Sequence, residues 1–91
     1  MSGVSEFYIE RKVCKYAASK GWLCRKMKWI GRTSAPDRYF SKSGHTPFMV
    51  EFKKTGEKPR KAQEREIARL RKHGTIVHVI DNVEDGLALF A

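Results

Sequence analysis

The fold is decided by residues 37–53, DRYFSKSGHTPFMVEFK. Two runs rich in strand-forming residues, at 37–42 and 47–53, flank the short polar segment 43–46. A glycine-containing segment of this length between two such runs is typical of a hairpin turn. The stretch therefore predicts two neighbouring antiparallel strands.

The second of these runs has two chemically different faces. Strand alternation places three apolar side chains on one face and two charged ones on the other, namely Phe48, Val50 and Phe52 against Glu51 and Lys53. The apolar face predicts a core, and the charged face predicts either solvent contact or a functional site. Asp37 begins the neighbouring strand and can approach Glu51. Two carboxylates beside a lysine form an oxygen-rich site for a hard divalent cation such as Mg²⁺. Without a cation the carboxylates would repel, and one would tend to hold a proton.

Further helices and strands are predicted on both sides of the hairpin. Before the hairpin, the pattern predicts a helix at 5–20, capped by Ser5 and ended by Gly21, and a strand at 22–30. After it, the pattern predicts a helix from Pro59 to about His73, a buried strand at 75–80, and a short helix through Phe90 capped by Asp81 or Asn82. A β-α-β unit favours a parallel, right-handed connection, whereas the first three strands favour antiparallel pairing. The prediction is an α/β fold with a mixed sheet flanked by helices, in the order α-β-β-β-α-β-α, forming one domain over residues 1–91.

The charge of the chain is strongly positive and unevenly distributed. Nineteen Lys and Arg against ten Asp and Glu give a formal net charge of +9 over 91 residues. Residues 20–42 contain seven basic side chains and one acidic one, and residues 53–72 contain nine basic and three acidic ones. Two such runs in one small domain favour contact with the phosphates of a nucleic acid.

Membrane and secreted classes are disfavoured by the sequence. No apolar run approaches the roughly 20 residues of a membrane span, and no signal peptide is recognisable. The two cysteines, Cys14 and Cys24, do not form a CxxC pair, so we expect reduced thiols and a cytoplasmic protein without a zinc site.

Two further polar residues lie on the apolar sides of the predicted helices. Glu10 is three residues before Val13 and borders the apolar face of the first helix, but Glu6 shares that face one turn earlier, so spacing alone does not choose between them. Gln63 lies four residues before Ile67, at the start of the second long helix, and is expected to point towards the strand end that carries Lys53.

The order and spacing of these residues resemble a known family. Pro36-Asp37 followed 14 residues later by Glu51-Phe52-Lys53 is similar to the PD-(D/E)XK nuclease motif. Within that superfamily the chain resembles the virus-type replication-repair nuclease (VRR-NUC) family over about residues 6–86. The resemblance rests on Tyr8-Ile9-Glu10-Arg11, Gly21-Trp22, Ala35-Pro36-Asp37-Arg38, Phe48 to Lys53, Lys58-Pro59, Gln63, Leu70, Gly74, Val79-Ile80-Asp81 and Val83-Glu84-Asp85. Ser34 is a departure, because the family often has glycine there.

The resemblance implies a minimal nuclease of the kind found in bacteria and phages, located in the cytoplasm of the cell or infected host. Asp37 and Glu51 would hold Mg²⁺ or Mn²⁺, with the backbone carbonyl of Phe52 as a further ligand. Lys53 would orient or activate the attacking water and stabilise the charge that grows on the phosphate. The remaining roles implied are Glu10 as the acid from the first helix and Gln63 as the residue that positions Lys53 or the water.

The expected substrate is DNA, which the protein would recognise by its shape and not by its base sequence. The residues predicted to contact it are Arg25, Lys26, Lys28, Arg32, Arg38, Lys54, Lys58, Arg60 and Lys61. Contacts to phosphates set affinity and register but do not read bases. Branched DNA such as a Holliday junction or a flap is therefore expected. The resemblance, which extends to Holliday-junction resolvases, and the small size of the domain imply a homodimer, and no membrane association is expected. The alternatives are a non-catalytic nucleic-acid-binding module with the same fold and a nuclease directed at RNA.

Overall fold

The computed structural model describes residues 3–90. Three helices and four strands follow the predicted order along the chain. They are α1 (Glu6–Ser19), β1 (Leu23–Lys26), β2 (Arg38–Ser41), β3 (Phe48–Phe52), α2 (Lys61–Lys72), β4 (Val77–Ile80) and α3 (Val83–Ala88). Residues 1, 2 and 91 of the predicted domain lie outside the described part.

The four strands form one mixed sheet in the order β1-β2-β3-β4. The pairs β1–β2 and β2–β3 are antiparallel, and β3–β4 is parallel. A parallel pair needs a crossover connection, which α2 provides between β3 and β4. The predicted α/β fold class, the hairpin and the β-α-β unit are thereby confirmed.

The core lies between the sheet and the helices α1 and α3. Alternation along β3 buries Phe48, Val50 and Phe52 against one face, as predicted, and Ile9 and Val13 of α1 pack there. The helix α2 lies over the opposite face of the sheet, which carries Glu51. This two-sided arrangement leaves the charged face of β3 between the sheet and the start of α2.

Helix ends follow the local capping chemistry. Ser5 accepts a hydrogen bond from the Tyr8 N–H at 3.1 Å and caps α1. Of the two residues predicted to cap α3, Asn82 does so, since its side chain accepts the Asp85 N–H at 2.8 Å. The helix α2 begins later than predicted, because Arg60 remains extended as its N-cap residue (φ −67°, ψ 163°).

The strand β1 is much shorter than the predicted 22–30. Its last ladder contact lies just beyond the strand, where the Met27 N–H donates to the Asp37 carbonyl at 3.0 Å. Trp29 then leaves the sheet to contact α2. In the loop that follows, Ser34 has φ +72°, a left-handed conformation that favours glycine. The backbone thus explains why the family that the sequence resembles often has glycine at this position.

The helices α1 and α3 pack closely through Gly86. A Cβ atom at this position would collide with the Cγ2 atom of Val13, so the contact requires a residue without a side chain. Within residues 3–90, no helix is long and apolar enough to cross a membrane.

Candidate active site

The backbone of the hairpin directs Asp37 onto β3. The Asp37 N–H donates to the Val50 carbonyl at 3.0 Å, and the Asp37 Oδ2 accepts the Phe52 N–H at 2.7 Å. The carboxylate therefore lies against the end of β3, beside the residue that precedes Phe52. The predicted approach of Asp37 to Glu51 is realised through these two backbone contacts.

Glu51 and Lys53 are both buried at this end of the sheet. Their residues are 2% and 8% exposed, and Lys53 Nζ lies 3.6 Å from Glu51 Oε2. The same Oε2 accepts a hydrogen bond at 3.0 Å from Gln63 Nε2, at the start of α2. The structure thus brings together four of the predicted residues, Asp37, Glu51, Lys53 and Gln63. Gln63 contacts Glu51 and not Lys53, so it orients the carboxylate.

Burial raises the pKa values of both carboxyl groups. The pKa of Glu51 rises from 4.5 to about 7, chiefly because burial penalises the charged form and then because Asp37 is nearby. The pKa of Asp37 is also raised, by burial first, although the hydrogen bond from the Phe52 N–H opposes the shift. Lys53 lowers the pKa of Glu51 without cancelling these effects. The protein thus compensates only partly the negative charge that these two groups carry when they are ionised.

The donor chemistry of this pair fits a small hard cation. Within residues 3–90, no group of three or more His, Cys, Asp or Glu side chains is arranged to hold a metal ion. Mg²⁺ in proteins is commonly bound through one or two carboxylates, with water and substrate phosphates completing its shell. Asp37 and Glu51 provide that number of carboxylates, and a cation beside them would offset the cost of burying their charge, which is the main reason that both pKa values are raised.

The two acidic residues of α1 have different environments. Glu10, 8% exposed, accepts a hydrogen bond at 2.6 Å from Arg38 Nε and lies 3.6 Å from Lys26 Nζ. Its charge contributes to the raised pKa of Asp37. Glu6 has a raised pKa caused first by burial and next by the charge of Asp37. Both acids thus border the site, but the carboxylate of Glu10 is already engaged by a guanidinium.

The comparison with solved structures identifies the fold. A structure described as "VRR_NUC domain" superposes with a TM-score of 0.85 and 28% sequence identity, covering 94% of this chain and 95% of that one. This chain is thus similar to a VRR-NUC domain over nearly its whole length. No protein-family model matches the chain, and no curated protein matches its sequence significantly. The VRR-NUC resemblance of the sequence is therefore confirmed through the three-dimensional structure.

Most of the residues predicted to contact DNA are exposed on the protein surface. Eight of the nine are exposed, and Arg38 is half-buried. Arg38 and Lys26 both face Glu10, and the Arg25 guanidinium donates to the carbonyl of Cys24 at 2.9 Å. Strand alternation places Arg38 on the same face of β2 as buried Phe40, towards α1. Arg38 thus has a structural role that its sequence position does not reveal.

One buried acid beside the site was not predicted from the sequence. Glu66, on α2, is 6% exposed, and its Oε2 accepts the Trp29 Nε1–H at 2.8 Å. Its Oε1 accepts two hydrogen bonds from Arg69, from Nε at 3.2 Å and Nη2 at 2.9 Å. These donors lower the pKa of Glu66, Arg69 most strongly. The local signal was the pairing of Glu66 with Arg69 three residues later, which is typical of an exposed helix surface, whereas the other partner, Trp29, is 37 positions away.

Proposed function

We propose that this VRR-NUC domain is a metal-dependent nuclease that hydrolyses phosphodiester bonds of DNA, with Mg²⁺ or Mn²⁺ held by Asp37 and Glu51. The observation that carries the proposal is the convergence of two partly uncompensated carboxylates with a buried lysine, 3.6 Å from Glu51. Perturbed carboxylates next to a specific charge partner are typical of functional sites. The backbone carbonyl of Phe52 remains the proposed additional ligand.

Each side chain has a distinct part in the proposed reaction. A divalent cation at this position supplies charge neutralisation on the scissile phosphate and a water that is nucleophilic at neutral pH. Lys53 holds a positive charge beside Glu51, where it can stabilise negative charge developing on the phosphate. Gln63 fixes the orientation of Glu51 by donating to Oε2 at 3.0 Å. We place Glu10, with Glu6 as the alternative, at the border of the site on α1.

We further propose that the substrate is branched DNA and that the protein acts as a homodimer. The net charge of +9 and the exposed basic residues support backbone contacts, which respond to the shape of DNA and not to its sequence. A two-fold dimer would present two sites to a branched substrate. Sedimentation at micromolar concentration tests the dimer, and a purely monomeric species would contradict it.

The direct test is cleavage of a labelled four-way junction beside a linear duplex of the same sequence. Each reaction contains Mg²⁺, Mn²⁺ or EDTA, with the wild type, Lys53→Ala and the control Lys15→Ala. Lys15 is an exposed lysine on α1, so its variant matches the chemistry of the substitution away from the site. Thermal unfolding of both variants establishes that they are folded.

The outcomes separate the parts of the proposal. Metal-dependent cutting of the junction that is lost in Lys53→Ala and kept in Lys15→Ala supports the nuclease and its shape preference. Equal cutting of junction and duplex keeps the nuclease but removes the preference for branches. Tight, salt-sensitive binding without cutting under any metal favours the non-catalytic binding module.

A further inference from the structure

A basic pocket lies between the loop that follows β1 and the start of α2. Its volume is about 340 Å³, and it is lined by Arg32, Thr33, Ser34, Ala62, Arg65 and Arg69. The three α2 residues are spaced at i, i+3 and i+7, which places them on one face of the helix. The other wall is the loop segment 32–34. Neither Arg65 nor Arg69 is among the residues predicted from the sequence to contact DNA.

Glu66 fixes the two walls of this pocket against each other. Its carboxylate joins Trp29, from the loop, to Arg69, from the helix, through hydrogen bonds of 2.8 to 3.2 Å. Arg32 Nη2 also lies 3.5 Å from Glu66 Oε1. Contacts within the protein to a buried, fully engaged carboxylate therefore hold the two walls of the pocket together.

The charge of the pocket is positive even after this carboxylate is counted. The lining contributes three guanidinium groups, those of Arg32, Arg65 and Arg69, against the single negative charge of Glu66, which contacts Arg32 and Arg69. Arg65 is exposed and forms no salt bridge with any residue in the described range 3–90. Guanidinium groups present forked donors that match phosphate oxygens, and the Thr33 and Ser34 hydroxyls can add further donors. The chemistry of the lining thus favours a phosphate group.

The position of the pocket indicates which phosphate it would take. Ser34 lies three residues before Asp37 on the same loop, and Ala62 is the neighbour of Gln63 on α2. Both walls therefore continue directly into the candidate active site. A DNA strand with one phosphate at Asp37 and Glu51 would have its neighbouring backbone phosphates along this surface.

We propose that the pocket formed by Arg32, Arg65 and Arg69 binds an internucleotide phosphate of the DNA substrate next to the scissile position. The identity of the ligand rests on the proposed function, but the pocket is a separate site. Its role is to fix the register of the strand, since a phosphate contact positions the backbone without reading bases.

The test is equilibrium binding to a four-way DNA junction and to a linear duplex of the same sequence in EDTA, where cleavage does not interfere. Arg65→Gln is compared with the wild type and with Arg11→Gln, which removes the same group from an exposed site on α1. Binding is measured at several salt concentrations between about 50 and 200 mM, because each phosphate contact contributes about 0.9 to the slope of log K against log salt. Thermal unfolding establishes that each variant is folded.

Arg65→Gln is expected to weaken binding about tenfold at low salt, as is typical for a lost charge-assisted hydrogen bond. It should also reduce the salt slope by about 1, whereas Arg11→Gln stays close to the wild type. Arg65→Lys should recover most of the slope, because it restores the charge.

Equal binding by Arg65→Gln and Arg11→Gln would overturn the assignment of the pocket, whether or not the protein cuts DNA. An effect seen only with an RNA duplex would also overturn it. The proposed nuclease function can fail separately. If the wild type binds DNA through Arg65 but never cuts it, the nuclease function is contradicted and the assignment of the pocket still stands. A wild type that does not bind DNA at all contradicts both.

Discussion

Replacing Glu51 by glutamine should stabilise the metal-free protein while abolishing its proposed activity. Glutamine resembles the protonated acid in shape and still offers an oxygen to Gln63 Nε2. The substitution removes only the negative charge of the Glu51 carboxylate, which burial and the neighbouring Asp37 make unfavourable. The folded-state pKa of about 7 against an ordinary 4.5 means that the folded protein prefers the neutral form of Glu51.

The sign and size of the effect follow from this shift. Because the pKa of Glu51 is raised on folding, the contribution of Glu51 to stability is greatest below pH 4.5 and is lost as the pH rises through about 7, where folded Glu51 ionises. A shift from 4.5 to about 7 corresponds to about 3 kcal/mol at pH 8, at about 1.4 kcal/mol per pKa unit. At pH 4.5 the same difference shrinks to less than about 0.5 kcal/mol.

Chemical denaturation at pH 4.5 and pH 8, in EDTA, measures this difference. Glu84→Gln serves as the control, since Glu84 is exposed in the first turn of α3 and its loss should change stability by less than about 0.5 kcal/mol at either pH. A Glu51→Gln variant that is less stable than the wild type at pH 8, or whose gain does not depend on pH, would refute the reasoning. Metal-dependent DNA cleavage by the same variant should be lost.

Three other substitutions test the packing and the loop by thermal unfolding. Ser34→Gly should raise stability by about 0.5–1 kcal/mol, because serine is strained at φ +72°; an unchanged melting temperature would count against strain at this position. Gly86→Ala should lower stability by about 1–3 kcal/mol, because its methyl group would collide with Val13; a neutral effect would mean that α3 shifts freely. Glu10→Gln should lower stability by about 1–3 kcal/mol, because half-buried Arg38 loses its anionic partner; a stabilised variant would show that Glu10, like Glu51, holds unfavourable charge.

Local patterns predicted the elements whose contacts lie close in the sequence. The alternation in 48–53 specified both faces of β3, and the short polar segment 43–46 specified the hairpin. The approach of Asp37 to Glu51 follows from that hairpin alone, since Asp37 directly precedes β2 and pairs with β3 through its N–H. These features need no knowledge of the rest of the chain, and the structure contains all of them.

The features that were missed depend on partners distant in the sequence. The alternation in 22–30 continues past Lys26, but the strand ends there because Trp29 turns to Glu66, 37 residues away. The pairing of Arg38 with Glu10 spans 28 positions, so Arg38 could not be distinguished from the exposed basic residues. In each case a tertiary contact overrode or redirected a local pattern.

Two buried glutamates on the same side of the sheet differ in how far the protein compensates their negative charge. Glu66 accepts hydrogen bonds from Arg69 and Trp29, and these lower its pKa, so its charge is compensated within the protein. Glu51 is buried next to another carboxylate, and its pKa rises to about 7 although Lys53 lies 3.6 Å away. A buried charge that its own protein leaves partly unpaired is unfavourable until something else pairs it. Glu66 therefore stabilises the shape of the proposed phosphate pocket. The charge of Glu51, by contrast, is only partly compensated by Lys53, and a divalent cation bound beside it would compensate the remainder.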